Sequence, residues 1–271
     1  MRIPRFTLTA LLGASAFATT VHAGVYVENV EKQLDGSTAP ETSKMWVDGG
    51  RMRVENTSKE NAGFVIFRDK AMYLFDPKTQ SYRVIDKAAA DKIGAQVANA
   101  KKQLEARMAA MPPEQRKQVE EMMAKSGAAG ALLQGKKPAQ RTVQNTGRTE
   151  TVAGIKCTVW EVLEDGNKRE ELCAAQPSAV PGGDEVVKTF REIGSTMQSF
   201  TENLGSIANN QPWSDMDTIK GVPILTREFS NGKATSELRV ASVRKESVQA
   251  AQFDVPAGYK EKKLEFGPGG Q

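Results

Sequence analysis

The chain has 271 residues, with 37 Lys and Arg against 33 Asp and Glu, one His and two Cys. So even a charge balance, without a Lys/Arg cluster interleaved with aromatics, argues against nucleic-acid binding. The length suits one large domain.

The chain opens with the pattern of a secretory signal peptide over residues 1–23. Arg2 and Arg5 form a basic start, Phe6 to Val21 an apolar stretch, and Val21-His22-Ala23 a small-residue cleavage site before Gly24. A membrane anchor is the alternative, but the run falls short of the roughly 20 residues a span needs. Position 24 is Gly, so no lipid attachment is expected there, and the product is expected to be soluble and periplasmic. Cleavage would lower the formal net charge from +4 to +2 and remove His22, the only histidine. Without it, Ser-His-Asp and Cys-His sites and His-ligated zinc or haem are all excluded.

A strand is expected at Val25–Val30, followed by a meander from Met45 to Ile85. Its runs are Met45–Val47, Arg51–Glu55, Gly63–Arg68 and Ala71–Ile85, the last folding back around Asp76-Pro77-Lys78. A Gly49-Gly50 turn pairs Val47 with Met52 and Met45 with Val54, leaving Trp46 opposite Arg53. Phe64-Val65-Ile66-Phe67 and Met72-Tyr73-Leu74-Phe75 are apolar on both faces, so something must cover the second face. Asn56-Thr57-Ser58 is read as a chance match to a glycosylation sequon.

After Ile85 the period changes to the helical one. Ile93, Val97, Ala100, Leu104 and Met108 share a stripe, Pro112-Pro113 breaks it, and Val119, Met122 and Met123 mark a second helix. Residues 87–126 thus form a Met-rich helical insertion, read as core packing or as an adaptable apolar surface. Residues 126–140 read as a mobile linker within a domain spanning 24–259.

Strand character resumes from Arg141 to Gly154. Cys157 and Cys173 then flank Leu163-Glu164-Asp165-Gly166-Asn167, read as a three-residue loop closed by Leu163 and Asn167. That register sets Glu161 opposite Arg169 and Cys157 opposite Cys173, predicting a disulfide worth about 3 kcal/mol in the chain-entropy model. A redox pair or a Cys-ligated metal is the alternative, but there is no C-x-x-C. Pro177 to Asp184 breaks the chain, and Asp184 is placed to cap a helix reaching Asn209. Its stripe is Val187, Phe190, Ile193, Met197, Phe200, Leu204 and Ile207, the expected cover for the sheet. Ser214-Asp215-Met216-Asp217 resembles a capping box; a calcium loop is disfavoured because Ile219 falls on a ligand position. Strands follow at Val222–Phe229 and Ala234–Val243 around Ser230-Asn231-Gly232-Lys233. Phe253 to Tyr259 looks packed, and residues 260–271 are expected to form a flexible tail.

These elements predict an α+β protein: a large curved antiparallel sheet, a half-barrel, with amphipathic helices on its concave face. The segments MWVDGGRMRVE (from Met45), AMYLFDPKTQSYRVID (from Ala71), AGIKCTVWEV (from Ala153), GVPIL (from Gly221) and FDVPAGY (from Phe253) resemble a family of bacterial exported proteins known only as a domain of unknown function. That family is similar in architecture to the LolA/LppX-type lipoprotein carriers. The resemblance implies a half-barrel around a cavity for acyl chains. Unlike the carriers, this sequence has no helix before its first strand and carries the Met-rich insertion.

No nucleophile elbow, P-loop or dinucleotide fingerprint occurs. Adjacent acids such as Glu120-Glu121 and Glu170-Glu171 point apart, so they do not form a dyad. The expectation is a non-enzymatic binder of an acyl chain, lipid or lipidated protein, without a cofactor or metal. Met45, Val47, Met52, Val54, Phe64, Ile66, Met72, Leu74, Phe190, Met197 and Phe200 are the expected cavity lining. The alternative is a cell-envelope structural or interaction module whose helices fill the half-barrel.

Overall fold

The computed structural model describes residues 21–57, 63–125, 140–201 and 212–264. Among the described residues, twelve strands form one open sheet. In chain order they are β1 (Val21–Gln33), β2 (Glu41–Asp48), β3 (Arg51–Asn56), β4 (Phe64–Arg68), β5 (Ala71–Asp76), β6 (Ser81–Ile85), β7 (Arg141–Val152), β8 (Ile155–Glu164), β9 (Asn167–Ala175), β10 (Val222–Ser230), β11 (Lys233–Gln249) and β12 (Lys260–Glu261). Across the sheet they run β12-β6-β5-β4-β3-β2-β1-β11-β10-β9-β8-β7. The helices are α1 (Lys87–Ala109), α2 (Pro113–Lys125), α3 (Gly183–Thr201) and α4 (Pro212–Ile219). Every pairing is antiparallel except β12 with β6, giving the α+β half-barrel read from the sequence.

The hairpin β2–β3 has the register its turn demands. Gly49 and Gly50 both take positive φ, 57° and 76°, the two-residue geometry that matches strand twist. Val47 pairs with Met52, Met45 with Val54 and Trp46 with Arg53. Because side chains alternate, Met45, Val47 and Met52 join Val25, Val27 and Phe67 in the main core beneath α3.

The reverse face of β2–β6 carries a separate aromatic cluster. Phe64 stacks on Phe75 with centroids 4.3 Å apart, and Tyr259 meets both rings edge-on. Tyr26, Trp46, Ile66 and Phe253 complete it. Its cover is the C-terminal segment. Arg53 lies over Phe64 and donates to the Gln252 carbonyl at 3.0 Å, Arg51 lies over Phe253, and Arg68 pairs with Asp254. The segment then runs through β12, and the backbone N–H groups of Lys260 and Lys262 donate to the carbonyls of Gln80, just before β6, and Tyr82 within it. Two residues of the expected flexible tail are therefore paired.

Other boundaries differ from expectation. β1 begins at Val21, inside the expected signal segment, and Val21, His22 and Ala23 pair with Gln249, Val248 and Ser247 of a β11 longer than expected. The described part of α3 ends at Thr201, so the expected stretch to Asn209 lies outside the described residues, as do 126–139 of the expected linker and Ser58. α4 starts at Pro212, two residues before the expected cap, as proline favours the first turn.

The disulfide Cys157–Cys173 is present, with Cα atoms 5.3 Å apart, but the expected register is corrected by two residues. Val159, not Cys157, stands opposite Cys173, and Glu161 faces Glu171. Asp165 and Gly166 both take positive φ, so they form a two-residue turn closed by Glu164 and Asn167. A bulge at Val162/Leu163 absorbs the remaining offset.

On the sheet face turned away from Glu170 and Leu172, β7–β11 carry a network of charges. Arg227 bonds Glu150 through two nitrogens and also Glu171 and Glu237, at 2.8–3.0 Å. Arg148 and Lys168 add bonds to Glu171, and Lys168 another to Glu161. Burial pushes the Glu171 carboxyl upward, but bonds from Lys168, Arg148 and Arg227 outweigh it and hold the group at about 2.

Candidate ligand cavity

A cavity of about 400 Å³ lies between the sheet and helices α3 and α4. Its floor is built by strand alternation: Val27, Met45 and Val54 stand in one cross-strand row, which Val243 extends onto β11, and Val240, Ile224 and Leu172 carry the floor over β11, β10 and β9. The roof is Val180, Val186, Phe190, Met216 and Ile219. Val186 and Phe190 are four apart in α3, and Met216 and Ile219 three apart in α4, so each pair lies on one helical face. α4 is tied down by Asp215, which accepts bonds from Arg141 Nε and Nη2, the closest at 2.6 Å.

The polar lining consists of Asn29, Ser43, Thr226, Glu170 and Glu228. None of these is buried, whereas Val27, Met45, Val180, Val186, Met216 and Ile224 are. Glu170 and Glu228 are direct cross-strand partners, and Glu228 in turn faces Ser236, whose hydroxyl donates to it at 3.0 Å. Arg141 donates to Glu170 at 3.3 Å and to Glu164 at 3.2 Å. Partial burial nevertheless raises the Glu170 carboxyl above its ordinary range; Arg141 opposes this, while Asp215 and Glu228 add to it. Glu170 and its neighbour Glu171 do point apart, one to the cavity and one to the charge network.

Of the residues expected to line the cavity, Met45, Val54 and Phe190 do so. Val47 and Met52 are buried in the adjoining core, with Met197 packed against it, and do not reach the cavity. Met72 and Leu74 share this sheet face, opposite Phe67 and Val65, yet also lie away from the cavity. Phe64 and Ile66 need correction. They face the other side of the sheet, in the aromatic cluster under the C-terminal segment. The Phe200 side chain lies outside the described residues. Among the described residues the Met-rich insertion contributes nothing to the lining, and Met122 is 66% exposed. Sequence reasoning missed Val27, Val180, Val186, Met216 and Ile219; alternation in β1 and the i, i+4 spacing of Val186 with Phe190 were the available signals.

A half-barrel sheet roofed by helices, with an apolar cavity between the two layers, defines an α+β cavity-bearing fold. No helix among the described residues is long and apolar enough to cross a membrane. The chain belongs to the DUF4412 family, a domain of unknown function, whose model matches residues 88–259. No curated protein matches the sequence. Among solved structures the chain is similar to an uncharacterized conserved protein from Thermus thermophilus, at 7% identity and TM-score 0.44 over 89% of this chain and 91% of that one. It is also similar to the MucA/MucB complex of Pseudomonas aeruginosa, at 12% identity and TM-score 0.38 over 87% and 56%. A LolA superfamily protein from Nitrosomonas europaea is similar at 8% identity and TM-score 0.28 over 88% and 91%.

Proposed function

We propose that this protein is an exported, non-enzymatic binder that holds the apolar chain of a lipid or lipidated protein between its sheet and helices. The observation that carries this reading is the cavity of about 400 Å³ whose deep walls are apolar side chains from both layers. That volume lies within the roughly 300–1,000 Å³ of small-molecule sites, which are mostly apolar with a few placed polar groups. Each methylene taken from water into such a site contributes about 0.8 kcal/mol, so a medium-length chain offers ample driving force even after the cost of immobilisation. Periplasmic localisation is supported by the signal-peptide pattern and by a disulfide that suits an oxidising compartment.

Native mass spectrometry on protein purified from its own envelope tests the proposal. Added mass released by organic extraction and identified as lipid is the expected result. A bare protein mass, together with no uptake of added single-chain lipids, would overturn it. N-terminal sequencing of the same sample should begin at Gly24.

A further inference from the structure

We propose, on the reading that the cavity holds one apolar chain, that its polar end selects a head group that donates hydrogen bonds and carries no negative charge, such as a glycerol or an amine. The lining contains two carboxylates, Glu170 and Glu228, and no Lys or Arg among the described residues. The remaining polar lining, Asn29, Ser43 and Thr226, is neutral. An anionic head therefore finds no counter-charge among these lining residues.

Strand register gives the arrangement a direction. Glu170, Glu228 and Ser236 form one row, and Leu172, Thr226 and Leu238 form the next toward the apolar end. Ile224 lies four residues from Glu228 along β10, about 13 Å at 3.3 Å per residue. A chain lying along β10 with its tail over Ile224 would thus bring its head to the two glutamates.

Two acids directly opposite on neighbouring strands repel each other. The cation beside them is already shared: all three guanidinium nitrogens of Arg141 are engaged by Asp215, Glu164 and Glu170. Arg169 pairs with Glu164. Among the described residues, Arg141 and Arg169 thus stand against Glu164, Glu170, Asp215 and Glu228, two cations facing four acids. An incoming donor or cation relieves this excess, whereas a carboxylate or phosphate increases it.

The test compares three probes of equal chain length at neutral pH, below their aggregation limits: dodecylamine, 1-monolauroylglycerol and laurate. Calorimetric titration of the intact, delipidated protein should show the first two binding at least about tenfold tighter than laurate. The amine ahead of the glycerol ester would locate the selection in charge; the two together ahead of laurate would locate it in hydrogen bonding. Glu170→Gln combined with Glu228→Gln should narrow the gap to laurate, and Glu228→Gln alone, at an exposed position, should narrow it in part without threatening the fold. Laurate binding as tightly as the other probes, or an unchanged gap in a variant with an unchanged melt, would overturn the head-group selection while leaving the cavity reading standing. Failure of all three probes to bind would overturn both.

Discussion

Arg227 on β10 grips Glu150 on β7 through two contacts of 2.9 and 3.0 Å, although β9 and β8 lie between them in the sheet. Strands spaced about 4.8 Å apart would hold these two backbones some 14 Å apart in a flat sheet, so the bidentate pair reports how tightly this end curls. The same guanidinium holds Glu171 and Glu237, both nearly buried. Arg227→Met should therefore destabilise the fold by on the order of 3 kcal/mol, because it leaves buried carboxylates short of their counter-charge. Arg227→Lys should recover only part of this, since an ammonium cannot reproduce the fork. Urea unfolding of the two variants checks both statements.

Acid should weaken the protein through Glu171. Its folded pKa, about 2, lies below the ordinary 4.5, so its contribution is fully present above about 4.5 and is lost as pH falls toward 2. The difference corresponds to roughly 3 kcal/mol for this group, at 1.36 kcal/mol per unit. Glu170 acts in the opposite sense, because burial raises its pKa and protonation relieves its desolvation. Stability measured from pH 6 to pH 2.5 should fall, and Glu171→Gln should flatten that slope.

The Cys157–Cys173 bond closes a segment with a sequence separation of 16. Reduction, or replacement of both cysteines by serine, should cost about 3 kcal/mol in the chain-entropy model. Alkylation of the denatured, unreduced protein should add no mass; two added labels would contradict the pairing.

Ile66 and Phe190 should part company in their effects. Ile66 is 1% exposed in the aromatic cluster on the far side of the sheet, so Ile66→Ala should cost about 2–5 kcal/mol and leave chain binding unchanged. Phe190 is only partly buried and lines the cavity, so Phe190→Ala should weaken retention of a bound chain more than it lowers the melt. Thermal melting paired with lipid extraction separates the two.

Much of the architecture was legible because it is locally encoded. Gly49-Gly50 admits one tight turn, so the β2–β3 register followed from two residues. The 3.6-residue stripe through Phe190 and Met197 likewise placed α3 on the sheet. The cysteine hairpin was misread by two residues because Gly166 was assigned to a three-residue loop, whereas Asp165 joins it in the left-handed region. Phe64 and Ile66 were misplaced for a different reason. A strand apolar on both faces does not say which cover lies on which side, and here one cover is the segment around Phe253, nearly two hundred residues later. The acidic rim was hidden in the same way: Glu170 meets Glu228 only through the pairing of β9 with β10, elements separated by α3 and α4.

The C-terminal segment also bears on how the protein behaves in a crowd. By laying Lys260 and Glu261 along β6, it closes a sheet edge that would otherwise present the unsatisfied backbone groups of Gln80 and Tyr82 to any passing strand. It also covers the aromatic face beside that edge. Proteolysis after Gln249 would uncover both surfaces together. The clipped chain would then be prone to stack edge to edge with its own kind, which makes the last turn of sequence a guard against self-association.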